Sequence, residues 1–388
     1  MSPARAARDS LTAHMRPARA PDDARIEYGE CMTRGFLDVM EAWKGESVVT
    51  AFDAATGAWI FVALHDTRLG PAAGGTRMTS YPAPVDGLID AMRLAEGMTW
   101  KWAGVGIRYG GGKAVIAVPD DLGDEARAGL IDRYAARLLS LRGAFQTGVD
   151  LGTTPEDMAR IGAISGYAVG LVDGKPGDPG PYTARGVVAG IRAALEHRFG
   201  EVDLGTRSVL IQGLGDVGLP LAGLLTEAGA TLYLTDLREE AAERARTRFG
   251  GVVIPADDLW DVDVDVYAPC AVGATLNPDT IPRLRCRIVA GSANNQLLSE
   301  ADGERLHERG ILYAPDYVIN AGGAAAFAAI HRGERDEARL RASVDEIGSS
   351  LREIFEEAAA AGESPLHAAR RRARRFLDAT GGPLSPAA

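Results

Sequence analysis

The sequence is short of cysteine. It has three, Cys31, Cys270 and Cys286, in 388 residues. The number is odd and no pair is spaced CxxC, so neither a disulfide framework nor a zinc site is expected, and a reducing cytoplasm fits. No apolar run approaches the ~18 residues that a membrane span requires. Positive charge is also scarce: 42 Lys and Arg stand against 53 Asp and Glu, a formal net charge of -11. Such a surface repels polyanions, so neither nucleic acid nor an anionic membrane is an expected partner. The basic run "RRRARR" at residues 370–375 reads as a solvated helix face. The opening residues, "MSPARAARDSLTAHMRPARAPDDAR", lack the apolar centre of a secretory signal. Residues 1–29 are expected to be a flexible extension, with a transit peptide as the alternative.

What remains is a globular composition, 46% hydrophobic and 24% charged, in a chain too long for one ordinary core. Two domains are expected. In the first half, "SVVTAFDAATGAWIFVALHD" alternates like two strands joined by a turn at residues 54–57. "LGPAAGGTRM" reads as a glycine-rich loop. Leu88, Ala91, Met92, Ala95 and Met98 recur at helical spacing after start signals at Pro84 and Asp86, and that helix should stop near Gly104 and Gly106. Residues 114–118 read as a short buried strand and residues 124–141 as an amphipathic helix. Thr154 is a helix N-cap, followed by Pro155. From about Tyr182 the pattern becomes regular strand–helix alternation, with "VDVDVYAPC", "CRIVAGSA" and "ILYAPDYVIN" among its strands. That is the pattern of a parallel sheet covered by helices. The end of the chain, from about Arg332, is helical and charged.

"SVLIQGLGDVG" carries Gly213, Leu214, Gly215, Asp216, Val217 and Gly218 in a G-x-G-x-x-G pattern. Alone the pattern is weak. Here it follows an apolar strand and opens a helix, the context in which glycines let a dinucleotide pyrophosphate approach the helix N-terminus. Asp236 closes the next strand, where a carboxylate accepts from the ribose hydroxyls and repels a 2′-phosphate, so NAD is expected over NADP. Arg238 nearby leaves NADP open.

The first half must then hold a substrate. Lys101 shares a helix face with Met98. Lys113 follows three glycines in "GIRYGGGKAVI" and enters an apolar run. Asp150 sits in "TGVDLGTT" between a strand and a capped helix. A lysine in tight surroundings beside a second cation loses part of its hold on the proton and can serve as a general base. Spacing alone does not bring the three together. The only histidine in this half's motifs, His65, reads as structural, which argues against hydroxy-acid oxidation by a His–carboxylate pair.

"GPAAGGTRM", "GMTWKWAGVGIRYGGGKAVI", "TGVDLGTT", "IQGLGDVG", "APCAVGATLN", "IVAGSANNQL" and "YAPDYVINAGG", in this order, resemble the motifs of the glutamate, leucine, phenylalanine and valine dehydrogenases. "ESPLHAARRRARR" resembles the leucine and phenylalanine branch. The resemblance implies an α/β fold in two domains with a cleft between them. Residues 30–182 would form a substrate and oligomerisation domain with a mixed sheet, and residues 183–330 a Rossmann domain. Residues 331–388 would be helices packing back toward the first domain. It further implies that Lys101 holds the substrate α-carboxylate, Lys113 activates water and Asp150 moves a proton at the substrate nitrogen. Gly74 and Gly75 would line the substrate site, Asn295 and Asn320 would lie near nicotinamide and amine, and Thr183 would touch the cofactor. The implied reaction is reversible oxidative deamination of an amino acid to a 2-oxo acid and ammonia, in a homo-oligomer, without a metal.

The side-chain pocket implied by the resemblance involves Ala73, Gly148, Ala324 and Phe327. Three of these are smaller than the residues typical of leucine-type enzymes, which makes room for a bulkier apolar or aromatic substrate: phenylalanine first, tryptophan next. Phe327 could refill that room and return the pocket to branched-chain size. A catalytically silent nucleotide-binding homologue is the remaining alternative, and the joint presence of Lys101, Lys113 and Asp150 speaks against it.

Overall fold

The computed structural model describes residues 36–172, 174–271 and 273–380. The extension expected over residues 1–29, and Cys31, lie outside the described residues. Among the described residues, no helix is long and apolar enough to cross a membrane.

Helix α1 (Phe36–Trp43) leads into β1 (Ser47–Asp53), β2 (Ala58–Asp66) and β3 (Ala72–Thr79). They are followed by α2 (Pro84–Gly104), β4 (Gly110–Ala117), α3 (Asp124–Ser140), β5 (Phe145–Val149) and α4 (Pro155–Ser165). The five strands form one sheet in the order β1-β2-β4-β3-β5. Strands β1, β2 and β4 pair antiparallel, and β3 lies parallel to both β4 and β5. Helix α2 starts where Pro84 occupies the first turn and the Asp86 carboxylate accepts from the Ala83 N–H at 3.0 Å. Its stripe of Leu88, Ala91, Met92 and Ala95 packs on Phe61 and Val115 of the sheet. Helix α4 is capped by Thr154 and Asp157 acting on each other's N–H groups.

Two expectations fail here, for one reason. "LGPAAGGTRM" is not a loop: residues 72–79 are the strand β3. The strand expected at residues 114–118 begins at Gly110 and includes all three glycines. Glycine lowers strand propensity, but it also lets backbones approach where no Cβ fits. A Cβ on Gly74 would lie 1.9 Å from the Gly112 carbonyl oxygen, and one on Gly111 1.9 Å from Thr99 Oγ1.

A short ribbon, β6 (Leu171–Val172) and β7 (Lys175–Pro176), precedes α5 (Gly180–Phe199). The expected junction between residues 182 and 183 falls inside α5. Then follow β8 (Ser208–Gln212), α6 (Gly218–Glu227), β9 (Thr231–Thr235), α7 (Glu239–Phe249), β10 (Val252–Val253), β11 (Val266–Pro269) and β12 (Ile288–Val289). After α8 (Glu300–Glu308) comes β13 (Leu312–Tyr313). The second sheet is wholly parallel, in the order β10-β9-β8-β11-β12-β13. That is the doubly wound dinucleotide topology, with its switch point between β8 and β11. "ILYAPDYVIN" is a strand only at Leu312–Tyr313; Pro315 then precedes helix α9 (Asp316–Ile319).

Helix α10 (Gly322–His331), α11 (Glu337–Ala361) and α12 (Pro365–Thr380) complete the described chain. Gly186 and Gly190 bring α5 against α11: a Cβ on Gly186 would lie 2.7 Å from Ile347 and one on Gly190 2.8 Å from Leu351. Helix α12 sits on both sheets' helices. Its Leu366 joins the cluster of Tyr313 and Leu306, while Ala373 and Leu377 pack on Leu69 and Ala103 of the first domain. The basic run is a helix face laced to acids. Arg370 pairs with Glu300, Arg372 with Glu353 and Arg375 with Glu357, and Arg374 lies over the Trp100 ring. Exposed pairs of this kind each contribute little to stability.

Candidate functional site

The first sheet faces loops and helices of the second half of the chain across a cavity of about 480 Å³. The first domain contributes Ala73, Gly74 and Gly75 from β3, Met98 and Lys101 from α2, Lys113 from β4, and Gly148 and Asp150 from around the end of β5. The second side contributes Asn295, Ala324 and Phe327. Eleven residues singled out from the sequence thus share one cavity.

Lys113 and Asp150 are in direct contact. Lys113 is buried, and its Nζ donates to Asp150 Oδ2 at 2.5 Å. Gly75 makes room for the pair: a Cβ there would fall 2.8 Å from Asp150 Cβ and 3.3 Å from Lys113 Nζ. Burial opposes ionisation of Asp150, but the charges of Lys113 and Arg77, and hydrogen bonds from both, outweigh it and hold the carboxyl at about 2. Its backbone is fixed as well, because the Asp150 N–H donates to Thr153 Oγ1 at 3.0 Å and that hydroxyl donates to the Thr76 carbonyl at 2.9 Å.

Lys101 holds its proton less tightly than an ordinary lysine. Surrounding protein disfavours its charge and Lys113 repels it, so its pKa falls to about 8 in spite of attraction from Asp316 and Asp150. Lys101 Nζ reaches Asn294 Oδ1 at 3.4 Å. Asn294 Oδ1 also accepts from Asn320 Nδ2 at 2.8 Å, and Asn320 Oδ1 is buried without a hydrogen-bond partner. Asn320 is therefore beside the site and keeps a free acceptor for a ligand donor. The asparagine that ties Lys101 to Asn320 is Asn294, not its neighbour Asn295, which takes a left-handed backbone, φ 51°, at the rim. The sequence offers no signal to separate these adjacent asparagines.

Arg77 was not singled out from the sequence. Its Nε donates to Asp150 Oδ1 at 3.0 Å and its Nη1 to Asp90 Oδ2 at 2.8 Å. Trp102 and Tyr109 also line the cavity, their rings 5.3 Å apart, with Trp102 Nε1 bonded to the Ala73 carbonyl at 2.9 Å. They pack with Ala73, Met98, Ala324 and Ala328 in one apolar patch of aromatic rings and small side chains. The Phe327 ring is drawn toward two glycines. A Cβ on Gly170 would meet it at 2.6 Å and one on Gly177 at 3.2 Å. His65 is bonded to Thr99 at 2.9 Å with its ring near Trp43, and it does not line the cavity.

At the switch point the glycine turn is built as its spacing implies. Gly213 has φ 91°, and a Cβ on Gly218 would lie 1.9 Å from the Gly213 carbonyl oxygen. Asp216 and Val217 complete the turn into α6. Gly215 faces open space, so the start of α6 is accessible to a pyrophosphate. Asp236 Oδ2 accepts from the Leu214 N–H and Oδ1 from the Arg238 N–H, each at 2.9 Å. Burial works against this carboxylate, yet those two N–H groups hold its pKa below the usual value. Oδ2, with one donor, keeps a lone pair for a ribose hydroxyl, while Oδ1 also accepts from Arg238 Nε at 3.4 Å. Ala271 packs against Gly213 and Gly273 against the Asn294 and Asn295 carbonyls, joining the turn to the cavity. Thr183 Oγ1 accepts from the Gly323 N–H at 3.1 Å and donates to the Pro179 carbonyl at 2.9 Å, both cavity residues. These residues fit a nicotinamide dinucleotide laid from the turn toward Asn294.

Residues 51–163 match the family model of the Glu/Leu/Phe/Val dehydrogenase dimerisation domain. Residues 232–370 match that of the Glutamate/Leucine/Phenylalanine/Valine dehydrogenases. Leucine dehydrogenase of Bacillus cereus is 39% identical over 327 residues, 84% of this chain and 88% of that protein. Phenylalanine dehydrogenase of Lysinibacillus sphaericus is 39% identical over 340 residues, 86% and 88% of the two chains. L-tryptophan dehydrogenase of Nostoc punctiforme is 43% identical over 312 residues, 80% of this chain and 87% of that protein. The crystal structure of the Nostoc enzyme superposes with a TM-score of 0.77 at 37% identity, covering 89% of this chain and 99% of that one. The chain belongs to the glutamate/leucine/phenylalanine/valine dehydrogenase family, the NAD(P)-dependent amino-acid dehydrogenases.

Proposed function

We propose that the protein catalyses the NAD-dependent, reversible oxidative deamination of an L-amino acid with a bulky apolar or aromatic side chain, phenylalanine first and tryptophan next. The observation that carries the substrate reading is the cavity lining: Ala73, Gly148, Ala324 and Ala328 are small, and Ala73, Ala324 and Ala328 pack with Trp102 and Tyr109 in one apolar patch. The lean of Phe327 toward Gly170 and Gly177 supports leaving the space before Ala324 open. A branched-chain substrate is the second reading. It is favoured by the leucine dehydrogenase relatives and by Val169, whose Cγ2 lies 3.2 Å from where a Cβ on residue 148 would be and so refills part of that gap.

In this reading the Lys101 ammonium holds the α-carboxylate as a point charge. Asp150 takes the proton that leaves the substrate nitrogen. The nicotinamide, held through Thr183, Asn294 and the glycine turn with Asp236, supplies the hydride acceptor for Cα. Lys113 removes a proton from the water that attacks the imine carbon, and the carbinolamine releases ammonia and the 2-oxo acid. NAD over NADP rests on the Asp236 carboxylate, which would repel a 2′-phosphate. We further take the enzyme to be a cytoplasmic homo-oligomer. The match to a dimerisation domain, the exposed Val49 and Phe52 on edge strand β1 and the free thiols of Cys270 and Cys286 support this.

Rates of NAD reduction with Phe, Trp, Leu, Val and Glu test the substrate reading. Phe and Trp should lead, and Ala324→Val should move the kcat/KM ratio of Phe to Val roughly tenfold or more toward Val, since a methylene is worth about 1–3 kcal/mol in such a pocket. A parent enzyme that prefers Val or Leu would overturn it.

The lowered pKa of Lys101 makes carboxylate binding pH-dependent. Below about 8 the lysine is charged and binds; above it the ammonium is lost. The KM for the 2-oxo acid should therefore be flat on the acid side and climb toward about tenfold per pH unit on the alkaline side. Lys101→Met should raise KM at every pH and erase the dependence.

A further inference from the structure

Five charges of alternating sign run from the cavity to the outer surface of the first domain: Lys113, Asp150, Arg77, Asp90 and Arg93. Lys113 Nζ is 2.5 Å from Asp150 Oδ2, and Arg77 Nε is 3.0 Å from Asp150 Oδ1. Arg77 Nη1 reaches Asp90 Oδ2 at 2.8 Å, the atom that also accepts from the Tyr81 hydroxyl at 2.8 Å, while Arg93 Nη2 closes on Asp90 Oδ1 at 2.8 Å. Arg77 and Arg93 each line both the cavity and an outer hollow of about 360 Å³ that they share with Tyr81 and Asp90. The two guanidinium groups thus stand between the hollows, and Arg77 is the one bonded to Asp150.

We propose that Arg77 is a positioning residue of the deamination: it fixes Asp150 Oδ1 so that Oδ2 faces Lys113 and the substrate nitrogen, and it remains the counter-ion of Asp150 while Lys113 releases and regains its proton. The inference rests on the proposed function. A general base must spend part of each turnover uncharged. If Lys113 were the only partner, its deprotonation would leave Asp150 a buried, unpaired anion, and stranding a buried charge is strongly unfavourable. With Arg77 in place it does not. Conversely, when Asp150 takes a proton, Arg77 keeps Asp90. Neither transfer strands a charge, because Arg77 has a carboxylate on each side. The guanidinium suits this role better than an ammonium, since its Nε and Nη1 engage two carboxylates in fixed directions and it does not deprotonate. The charged groups facing Asp150 are Lys113 from β4, Arg77 from β3 and Lys101 from α2. Asp90, Arg93 and Tyr81 stand behind Arg77.

The test compares Arg77→Met, Arg77→Lys and Asp90→Asn with the parent enzyme. Asp90→Asn weakens the same network but leaves the arginine charge on Asp150. Arg77→Met should move the acid limb of the kcat profile upward by about 1–3 pH units, the effect of removing an adjacent opposite charge, with KM changed less than about threefold. Arg77→Lys should bring the limb most of the way back, and Asp90→Asn should leave it near the parent position. A limb unmoved in Arg77→Met, with kcat lowered equally at every pH, would mean a structural role only. A KM increased tenfold or more would make Arg77 a substrate ligand, and a limb moved equally by Asp90→Asn would make the charge on Arg77 irrelevant. Each of these overturns the proposal. Should Arg77→Met not fold, Arg77→Lys and Asp90→Asn carry the comparison: the limb must rise more in the first than in the second. A ¹³C carboxylate titration, with Asp150 assigned by its loss in Asp150→Asn, reads the same shift without turnover. If the parent deaminates no amino acid, the proposed function fails while this arm still decides whether Arg77 keeps Asp150 ionised.

Discussion

Lys113→Ala is expected to lower kcat for amino-acid oxidation about 1000-fold, within the range that a positioned general base contributes, with the dissociation constant for the dinucleotide unchanged. The lysine is buried and makes a 2.5 Å contact to Asp150, so its amine can reach only the cavity and that carboxylate. Removing it leaves Asp150 bound to Arg77 at 3.0 Å, so the fold should survive. A melting temperature within a few degrees of the parent's is the control. Lys113→Arg should not rescue: the guanidinium keeps the charge but cannot give up its proton at any working pH. The measurement is the initial rate of reduced-nicotinamide formation at saturating substrate, with nucleotide affinity followed separately by fluorescence titration. A Lys113→Ala enzyme within tenfold of the parent in kcat would remove this lysine from the chemistry.

Gly74→Ala should have the largest effect on stability. The added Cβ would lie 1.9 Å from the Gly112 carbonyl oxygen and 3.0 Å from its carbon, with Met98 Cγ at 3.2 Å. The methionine can move. The carbonyl cannot, because β4 is held on its other side by β2 and β3 is held by β5. Relief requires the two strands to part and lose their pairing, which costs on the order of 4 kcal/mol or more. The melting temperature should fall on the order of 10 °C, or the variant should be recovered only as aggregate. Gly97→Ala is the counterpart: it lies in α2, nothing stands within 4 Å of its Cβ, and the change should raise stability by about 0.5–1 kcal/mol. Thermal unfolding of the pair separates glycine required by contact from glycine that merely lowers helix propensity.

These two glycines mark where the sequence was legible. The nucleotide turn could be read because its constraints are local: Gly213, Gly218 and Asp236 act on one strand–turn–helix–strand unit, and the spacing encodes the geometry. Residues 72–79 could not. Their strand character is forced from both sides by β4 and β5, while each glycine in isolation argues for a loop. Lys101, Lys113 and Asp150 were linked through family resemblance, since spacing does not bring them together. Arg77 lies within the "GPAAGGTRM" motif but was assigned no role, because its partners lie 73 and 13 residues away in sequence and spacing does not bring them together. The choice between Asn294 and Asn295 turns on one left-handed backbone angle that composition does not report.

The placement of α12 bears on how the polypeptide is made. Leu69, Trp100 and Ala103 belong to the first third of the chain, yet the residues that cover them are Ala373, Phe376 and Leu377. A ribosome emits the chain from its N-terminus, so this apolar patch stays bare while some 270 residues, counted from Ala103 to Ala373, are still to be added. The nascent first domain therefore spends most of its synthesis with a hydrophobic face open to solvent, and that face is where a chaperone would bind and where premature association would begin.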